Sequence, residues 1–376
     1  MEGVTDLPTR LWFSLLGPLS FASTPFLRVT AGYLPRSIPR TFFPELTDLK
    51  GGVPYQLIPQ VMTSEQDDLV RLGDALLKVS PLVELNCGCP SSFVVGSGAG
   101  SSLLKSPSAF RSFISGAADR LGKGRLAVKM RVGFETEQEF PDLIEALADL
   151  PLARLSIHGR TRHEGYRGIS RWDLISEATK VCPFPVWGSG DVCNVDGLRT
   201  RIDSAPGVEG ALIGRGALRN PWLFRRLANP GAQMPSPGAL FQALIAFIVL
   251  QHARHHNMDA ICNLANDGFF LGTSLATSAE EWESLNSKLG EAVFGSEYSS
   301  DSLAVHPKLL PRVKMLWNYI RTSLSEEAFR APILRTPSVH DFFELTKKVL
   351  QDEEELGKNV SWQSARDWIF AGAVRN

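Results

Sequence analysis

Residues 1–229 alternate between short apolar runs and longer segments whose apolar positions are three and four residues apart. The short runs have the length of β-strands, and the longer segments have the period of amphipathic helices. Regular alternation of this kind predicts a parallel sheet covered by helices. The predicted strands are Leu19–Ser23, Tyr55–Val61, Leu82–Asn86, Leu126–Arg131, Arg154–His158, Phe184–Gly188 and Gly210–Gly214. The predicted helices between them include Ser64–Val79, Ser108–Arg120, Glu137–Leu150 and Trp172–Val181.

The number of predicted strands is one short of a complete barrel. We therefore predict an α/β fold, a (β/α)8 TIM barrel whose first strand is missing or truncated, because the opening Met1-Glu2-Gly3 would itself follow a strand. A protein that lacks this strand altogether is the alternative. Polar residues and glycines follow the carboxyl ends of the strands, which is the rim where such barrels carry their catalytic groups.

A segment rich in proline, glycine and serine, residues 230–238, separates this pattern from a purely helical one. Such composition is typical of a linker. We predict a barrel domain over residues 1–229 and a helical domain over 238–376, with an insertion around 253–305. The helices predicted beyond the linker are Ala239–His252, Ser278–Leu289, Leu309–Leu324, Ser338–Glu355 and Trp362–Ala373.

Charge and hydropathy narrow the class of protein. The 376 residues include 39 Lys and Arg against 40 Asp and Glu, a formal charge of −1, which excludes a basic nucleic-acid-binding protein of the globally charged kind but not a local basic stripe. The longest apolar run, residues 239–250, is shorter than the ~18–20 residues that cross a bilayer. The N-terminus lacks the features of a secretory signal, so we expect a cytoplasmic protein with no membrane segment.

Two of the five cysteines lie at the end of a predicted strand, in Asn86-Cys87-Gly88-Cys89-Pro90. A thiol placed there can act on a ligand as an acid or a nucleophile. Two inert, half-buried thiols are an alternative, and a metal site is disfavoured because no second cysteine pair has the required spacing. The glycines of residues 96–100 do not match the dinucleotide fingerprint, since Ser101 stands where it needs glycine. They favour a tight turn or a close approach to a ligand.

Several cations follow other predicted strands. Lys129 and Arg131 lie on one face of their strand, where they could meet an electron-rich ring or a phosphate, or form an ion pair at the rim. His158, Arg160 and Arg162 come at the same end of the next strand. A histidine hydrogen-bonded in the core is the alternative for His158, but the cluster as a whole favours an anionic ligand.

Glycine-rich loops close the last two predicted strands, at Gly188-Ser189-Gly190-Asp191 and at Ile213-Gly214-Arg215-Gly216. In α/β barrels the backbone N–H groups of these loops commonly bind a phosphate. The sequence therefore predicts a phosphorylated cofactor.

Four of these motifs, residues 86–90, 128–131, 158–161 and 213–216, resemble in order and spacing those of the tRNA-dihydrouridine synthases. The opening residues 1–6 are similar to the first flavin loop of that family. The run from Asn86 to Leu104 is most similar to the bacterial C-type subfamily, which reduces uridine 16 of the D-loop. Residues 312–321 are similar to the RNA-facing helix of the same subfamily.

The resemblance implies a TIM barrel with a C-terminal helical domain that reduces the C5=C6 bond of a uridine in tRNA, with FMN as cofactor and NADPH as reductant. It implies a monomer, no metal, and Cys89 as the proton donor. The residues implied to hold FMN are Met1, Gln60, Lys129, His158, Ser189, Gly190, Asp191, Gly214 and Arg215. Those implied to contact the substrate are Arg28, Asn86, Arg131, Arg160, Arg312 and Lys314.

Two positions depart from the family pattern. Ser189 replaces an asparagine of the phosphate loop, which keeps the backbone donors, and Pro25 stands where the subfamily has glutamate, beside Arg28. Two other functions remain open from the residues alone. One is an FMN-dependent reductase of a free small molecule, and the other is a non-catalytic protein that binds tRNA.

Overall fold

The centre of the N-terminal half is a parallel sheet of seven strands. The computed structural model describes residues 4–29, 42–272, 276–296, 298 and 309–355. The sheet has the order β2-β4-β5-β6-β7-β8-β9, and β1 pairs with β3 in a separate parallel pair. The strands are β1 Phe21–Ser23, β2 Leu27–Arg28, β3 Gln56–Ile58, β4 Gln60–Met62, β5 Val83–Cys87, β6 Leu126–Arg131, β7 Arg154–His158, β8 Val186–Ser189 and β9 Gly210–Leu212.

The sheet curls on itself. Phe21 belongs to the separate pair β1-β3, and Trp187 lies on β8, next to the last strand of the main sheet, yet their ring centroids are 4.3 Å apart. This is the α/β barrel architecture predicted from the sequence. Within the described residues the main sheet supplies seven of the eight strands of a complete (β/α)8 barrel, with β2 and β9 at its two ends.

One predicted strand is interrupted. The segment predicted as one strand over Tyr55–Val61 divides at Pro59 into β3 and β4. Ser23 pairs with Ile58 and Leu27 pairs with Val61. The stretch from Ser23 to Leu27 therefore holds one residue more than the stretch from Ile58 to Val61 that it pairs with. Proline has no N–H to give to a ladder, and such a bulge accommodates it.

Helices follow the strands as crossover connections. Trp172–Val181 has the predicted bounds, whereas the helix predicted over Glu137–Leu150 is wrong in extent, since it is a 3₁₀ turn at Glu137–Glu139 followed by a short α-helix. The helices of this half are α1 Leu7–Leu16, α2 Gln66–Leu76, α3 Ser92–Gly96, α4 Pro107–Leu121, α5 Phe140–Glu145, α6 Trp172–Val181, α7 Val195–Asp203, α8 Arg215–Arg219 and α9 Leu223–Ala228. Further 3₁₀ helices are Pro44–Leu46 and Gly100–Lys105.

Every described element beyond residue 228 is helical, as predicted. The long helix α10 starts at Pro237, with the Ser236 side chain accepting from the N–H of Ala239. The predicted helix Trp362–Ala373 lies outside the described residues. None of the described helices is long and apolar enough to cross a membrane. The helices are α10 Pro237–His256, α11 Met258–Asn266, α12 Phe269–Gly272, α13 Ala279–Phe294, α14 Leu309–Ile320, α15 Glu326–Arg330 and α16 Val339–Glu355, with 3₁₀ turns at Arg321–Ser323 and Pro332–Arg335.

Helix α1 joins the two halves, and the sequence pattern did not predict it. All ten of its residues are buried, including the polar Thr9, Arg10 and Ser14, so its polar side chains face protein rather than solvent. The indole nitrogen of Trp12 donates to the carbonyl of Ala243 in α10 at 2.6 Å, and its ring meets that of Phe247 edge-on. The barrel and the helical segment therefore share a core across α1.

A carboxylate just before α1 holds the same junction. Asp6 caps the helix by accepting from the N–H of Thr9, accepts from Arg312 of α14 at 2.8 Å, and forms an ion pair with Arg254 of α10 at 2.9 Å. Arg312 also donates to the carbonyl of Val4 at 3.2 Å. Helices α10 and α14 of the helical segment therefore bind the chain directly before the start of α1.

Asp6→Ala is expected to lower the free energy of unfolding by about 1–3 kcal/mol, because it removes a helix cap, the hydrogen bond from Arg312 and the ion pair with Arg254. Urea unfolding followed by circular dichroism measures the change. Asp67→Ala is the matched control, since Asp67 pairs with Arg120 at the surface with its side chain 88% exposed, where such a pair contributes under about 1 kcal/mol. Equal effects of the two substitutions would contradict a clamp at Asp6.

Candidate active site

A chain of buried hydrogen bonds runs up the inside of the barrel toward the thiol loop, which we define as residues 87–101. Arg154 donates to Glu84 at 2.9 Å, Gln60 donates to Glu84 at 2.7 Å, and Asn86 donates to the Gln60 side-chain oxygen at 2.7 Å. The Asn86 side-chain oxygen then accepts from the N–H of Gly88. This network fixes the amide of Asn86 at the mouth and ties the thiol loop to the barrel.

Ala127 makes room for that network. Glu84, Ala127 and Arg154 are paired in register on three adjacent strands, so their side chains share one level of the barrel. The methyl group between them lets the outer two side chains meet across β6. The Arg154 guanidinium also lies over the Trp187 ring at 4.0 Å.

The two thiols of the loop differ in their surroundings. Cys87 points out of the barrel into the apolar core, and burial raises the pKa of its thiol, so it stays protonated and is not available to a ligand. Cys89 is half-buried at the mouth. The metal alternative gains no support, since no group of three or more His, Cys, Asp or Glu within the described ranges is arranged to hold an ion.

The glycines after Cys89 close the loop. Gly98 and Gly100 have φ of +77° and +60°, values that favour glycine. A Cβ on Gly100 would lie 3.2 Å from the Cβ of Cys89, and the Ser101 hydroxyl donates to the Cys89 carbonyl at 2.7 Å. The predicted tight turn is confirmed, and the close approach is to Val94, whose Cγ1 would lie 2.8 Å from a Cβ on Gly100, and to Cys89.

Two cations of β6 face this thiol. Lys129 is half-buried, and burial lowers the pKa of its ammonium group, while Glu84 and the two loop thiols act in the opposite direction. Burial lowers the pKa of Arg131 to about 10. Arg131 donates to the carbonyls of Gly88, Thr161 and Gly165 at 2.7–2.9 Å, so its guanidinium braces two rim loops against each other.

His158 lies among these cations and is neutral at pH 7. Burial, then the charges of Arg131 and Lys129, hold the pKa of its imidazole well below 6.5. The ring of Tyr166 stands at 6.3 Å from His158, edge to face, and Arg215 lies over the same tyrosine at 4.1 Å. A neutral imidazole can give or take one hydrogen bond without adding charge.

The last two glycine loops meet the same mouth. Gly190 has φ of +117°, and a Cβ there would lie 2.3 Å from the Ser170 hydroxyl, so only glycine fits. Asp191 has φ of +56°, and its carboxylate accepts from Ser170 N–H and from Arg160. Gly214 is exposed and precedes the first residue of α8, Arg215.

The mouth carries net positive charge. Among the described residues, no carboxylate lies within ion-pair distance of Lys129, Arg131 or Arg215, whereas Glu84 and Asp191 are each occupied by an arginine. Three cations without a carboxylate partner favour an anionic ligand.

Comparison with known proteins agrees with this geometry. The family profile described as dihydrouridine synthase matches residues 1–260.

The chain belongs to the dihydrouridine synthase family.

Individual relatives agree. The chain is 32% identical over 243 residues to a tRNA-dihydrouridine(16) synthase of Ralstonia nicotianae, covering 63% of this chain and 73% of the relative. It is 30% identical over 247 residues to one of Escherichia coli O157:H7, covering 63% and 76%. A tRNA-dihydrouridine(47) synthase of Coprinopsis cinerea is 32% identical over 184 residues, which is 45% of this chain and 27% of the relative. The resemblance predicted from the sequence is confirmed.

The structure of this dihydrouridine synthase brings most of the predicted site residues together. Cys89, Asn86, Lys129, Arg131 and His158 converge at the carboxyl ends of β5 to β7, since these strands are adjacent in the sheet. The predicted cofactor residues Ser189, Gly190, Asp191, Gly214 and Arg215 end or follow the flanking strands β8 and β9. Gln60 instead begins β4, and its side chain lies in the interior network between Glu84 and Asn86. Met1 lies outside the described residues.

Three predicted substrate contacts have other partners. Arg160 is fully buried, paired with Asp191 at 2.7 Å and bound to two carbonyls of its own loop, which gives it a supporting position under the rim. Arg312 grips Asp6 as described above. Lys314 donates to the carbonyl of Thr336. Direct contact of these side chains with RNA stays a prediction that requires these bonds to be exchanged.

Two residues of the site were missed at the level of the sequence. Glu84 carries the interior network, and its signal was a lone acid in the apolar run Val83-Glu84-Leu85. Ser170 packs under Gly190 and donates to the carbonyl of Ser189, and nothing in its own sequence context marks it.

Proposed function

We propose that this protein reduces a uridine of tRNA to dihydrouridine, with the uridine at position 16 as its target. The observation that carries the proposal is the half-buried Cys89 thiol in a mouth with three cations that lack a carboxylate partner. The names of the relatives from Ralstonia nicotianae and Escherichia coli support the substrate and the position.

FMN fits this mouth as cofactor. The chain offers cations for a phosphate and for an anionic ring, since Lys129, Arg131 and Arg215 have no carboxylate partner among the described residues while Glu84 and Asp191 are each paired with an arginine. Bound FMN would supply a hydride for C6 of the uracil, with NADPH as the reductant. The residues that would hold it are Gln60, Lys129, His158, Ser189, Gly190, Asp191, Gly214 and Arg215.

The chain's own residues would perform the rest of the reaction. Reduction of C5=C6 adds one hydride at C6 and one proton at C5, and Cys89 is placed to give the proton from its thiol as a general acid. Lys129 would stabilise negative charge beside the ring. Asn86 and Arg131 hold the thiol loop, through the N–H and the carbonyl of Gly88 respectively, which keeps Cys89 in place.

A loop uridine suits this site. A target base must leave its stack to enter the barrel mouth, and the cost of a few kcal/mol is least where the base is already unpaired. Arg28 on the rim would contact the nucleotide, and phosphate contacts make binding weaken as salt rises. Arg131 is buried and bonded to three carbonyls, so it would reach the nucleotide only by giving up some of these bonds.

The decisive experiment incubates the purified protein with unmodified tRNA and NADPH, digests the RNA and weighs the nucleosides. A gain of about two mass units on uridine is expected, the mass of the two added hydrogens, and fragment mapping should place it at position 16. A flavin-containing protein that reduces an enone or a free pyrimidine but leaves tRNA unchanged would contradict the proposal. A colourless protein that binds tRNA without product would contradict it as well.

A further inference from the structure

One aromatic side chain near the active-site thiol is largely exposed to solvent. Phe93 is 73% exposed, the largest value among the exposed large hydrophobic side chains of the described residues. It lies on α3, four residues after Cys89. An apolar ring this exposed at the rim of a site is typical of a contact surface.

The ring is held by a cation. The guanidinium carbon of Arg28 lies 4.4 Å from the Phe93 ring centroid, and Arg28 also donates to the Ser97 hydroxyl at 3.0 Å. Arg28 ends β2, so the barrel wall fixes the orientation of a side chain that belongs to the thiol loop. The cation lies over one face of the ring, and the ring stays largely exposed to solvent.

A small core links the helix that carries the ring to the thiol. Val94, next to Phe93 on α3, is buried with Met62 and Ala99, and Cys89 packs against this cluster. Helix α3 is therefore anchored beside Cys89, and Phe93 is carried on it close to the thiol.

We propose that Phe93 and Arg28 form a stacking platform for the unpaired nucleobase that neighbours the target uridine in tRNA. The inference rests on the proposed function and adds a specificity contact to it. An exposed aromatic ring next to a cation suits a base and its phosphate, because every base has a face that stacks and the guanidinium attracts the backbone. The platform's apolar area is a single ring, too small for a protein partner.

The expected effect is on substrate binding. Phe93→Ala should raise KM for tRNA by about 5- to 150-fold, the range found when a single stacking aromatic is removed, and should leave kcat within about twofold. Phe93→Trp should keep the wild-type KM, and Phe93→Leu should behave like Phe93→Ala because it keeps the apolar volume without the ring. Phe42→Ala is the matched control, an exposed aromatic outside the thiol loop.

Two readouts separate stacking from a structural role. The rate of NADPH oxidation without RNA should be the same in Phe93→Ala and wild type. A tRNA carrying 2-aminopurine beside the target uridine should lose fluorescence on binding the wild-type protein, and this quenching should be absent with Phe93→Ala.

The outcomes distinguish this inference from the proposed function. Dihydrouridine formation by the wild type, with an unchanged KM in Phe93→Ala or with rescue by Phe93→Leu, overturns the platform and leaves the function standing. A change from dimer to monomer in Phe93→Ala without a change in KM assigns the ring to contact between copies and overturns it too. Absence of dihydrouridine in tRNA treated with the wild-type protein would contradict the proposed function itself.

Discussion

Cys89→Ala is expected to lower the rate of dihydrouridine formation by about 10²–10⁴-fold, the usual contribution of a positioned general acid. The half-buried Cys89 side chain lies at the barrel mouth, where Lys129 and Arg131 are close enough for its sulfur to affect the pKa of each cation. The alanine variant keeps the backbone bonds of the loop, since Ser101 binds the Cys89 carbonyl. Flavin content and tRNA affinity should therefore stay near the wild-type values. Single-turnover assays with mass spectrometry of the digested RNA measure the rate.

The chain provides its own control two residues away. Cys87→Ala removes a thiol from the same loop, but that side chain faces the outer core and has no access to the mouth. It is expected to keep the chemical rate while losing some stability. A normal rate in Cys89→Ala, or an equal loss in both variants, would remove Cys89 from its assigned role.

Arg154→Met is expected to lower the free energy of unfolding by about 3–5 kcal/mol, because it leaves the Glu84 charge buried without its partner. The two side chains are 6% and 0% exposed, so water cannot replace the lost guanidinium. Chemical unfolding of the purified protein, followed by tryptophan fluorescence, measures the change. The combined Glu84→Gln, Arg154→Met variant should recover part of the loss, since the buried charge is then gone.

A solvent-exposed ion pair provides the control for this loss of stability. Arg111 and Asp149 form an ion pair with side chains 42% and 67% exposed, and Arg111→Met should cost under about 1 kcal/mol. A similar small cost for Arg154→Met would mean that the interior network does not depend on the Glu84–Arg154 pair. In that case the hydrogen bonds from Gln60 and Ser23 would have to hold the network alone.

Cys89→Ala tests the reacting group, and Arg154→Met tests the buried network that holds its loop in place. Glu84 and Arg154 lie deep in the barrel, yet through Gln60 and Asn86 they connect to the N–H of Gly88, one residue before Cys89. Any variant of this network that still folds should slow the reaction by displacing the thiol, because a misplacement of about 1 Å can cost a hundredfold in rate.

The periodicity of the sequence predicted β6, β7 and α6 with their observed bounds because each has a strong and uninterrupted pattern. It did not predict α1, although Leu7, Leu11 and Leu15 have helical spacing, and the burial of the polar residues of this helix follows only from packing. It also merged β3 with β4, because a pattern of apolar residues does not reveal that Pro59 forces a bulge.

The sequence by itself determined which chemical groups meet at the barrel mouth. Parallel strands place their carboxyl ends on one rim, so the thiol of Cys89, the cations of β6 and the imidazole of His158 had to converge once the strand order was known. It also determined the family, because four short motifs keep their order and spacing along the chain.

Only the tertiary structure decided which of those groups are free to act. Sequence gives residue type but not burial or partners, and these depend on residues far apart in the chain. The sequence indicated that Arg160 is a rim cation, but in the structure it is paired with Asp191, 31 residues later in the chain. Arg312 is held by Asp6, 306 residues away. Nothing in the sequence around Phe93 distinguishes it from a core residue. Its exposure and its contact with Arg28 follow only from how β2 and the thiol loop pack together.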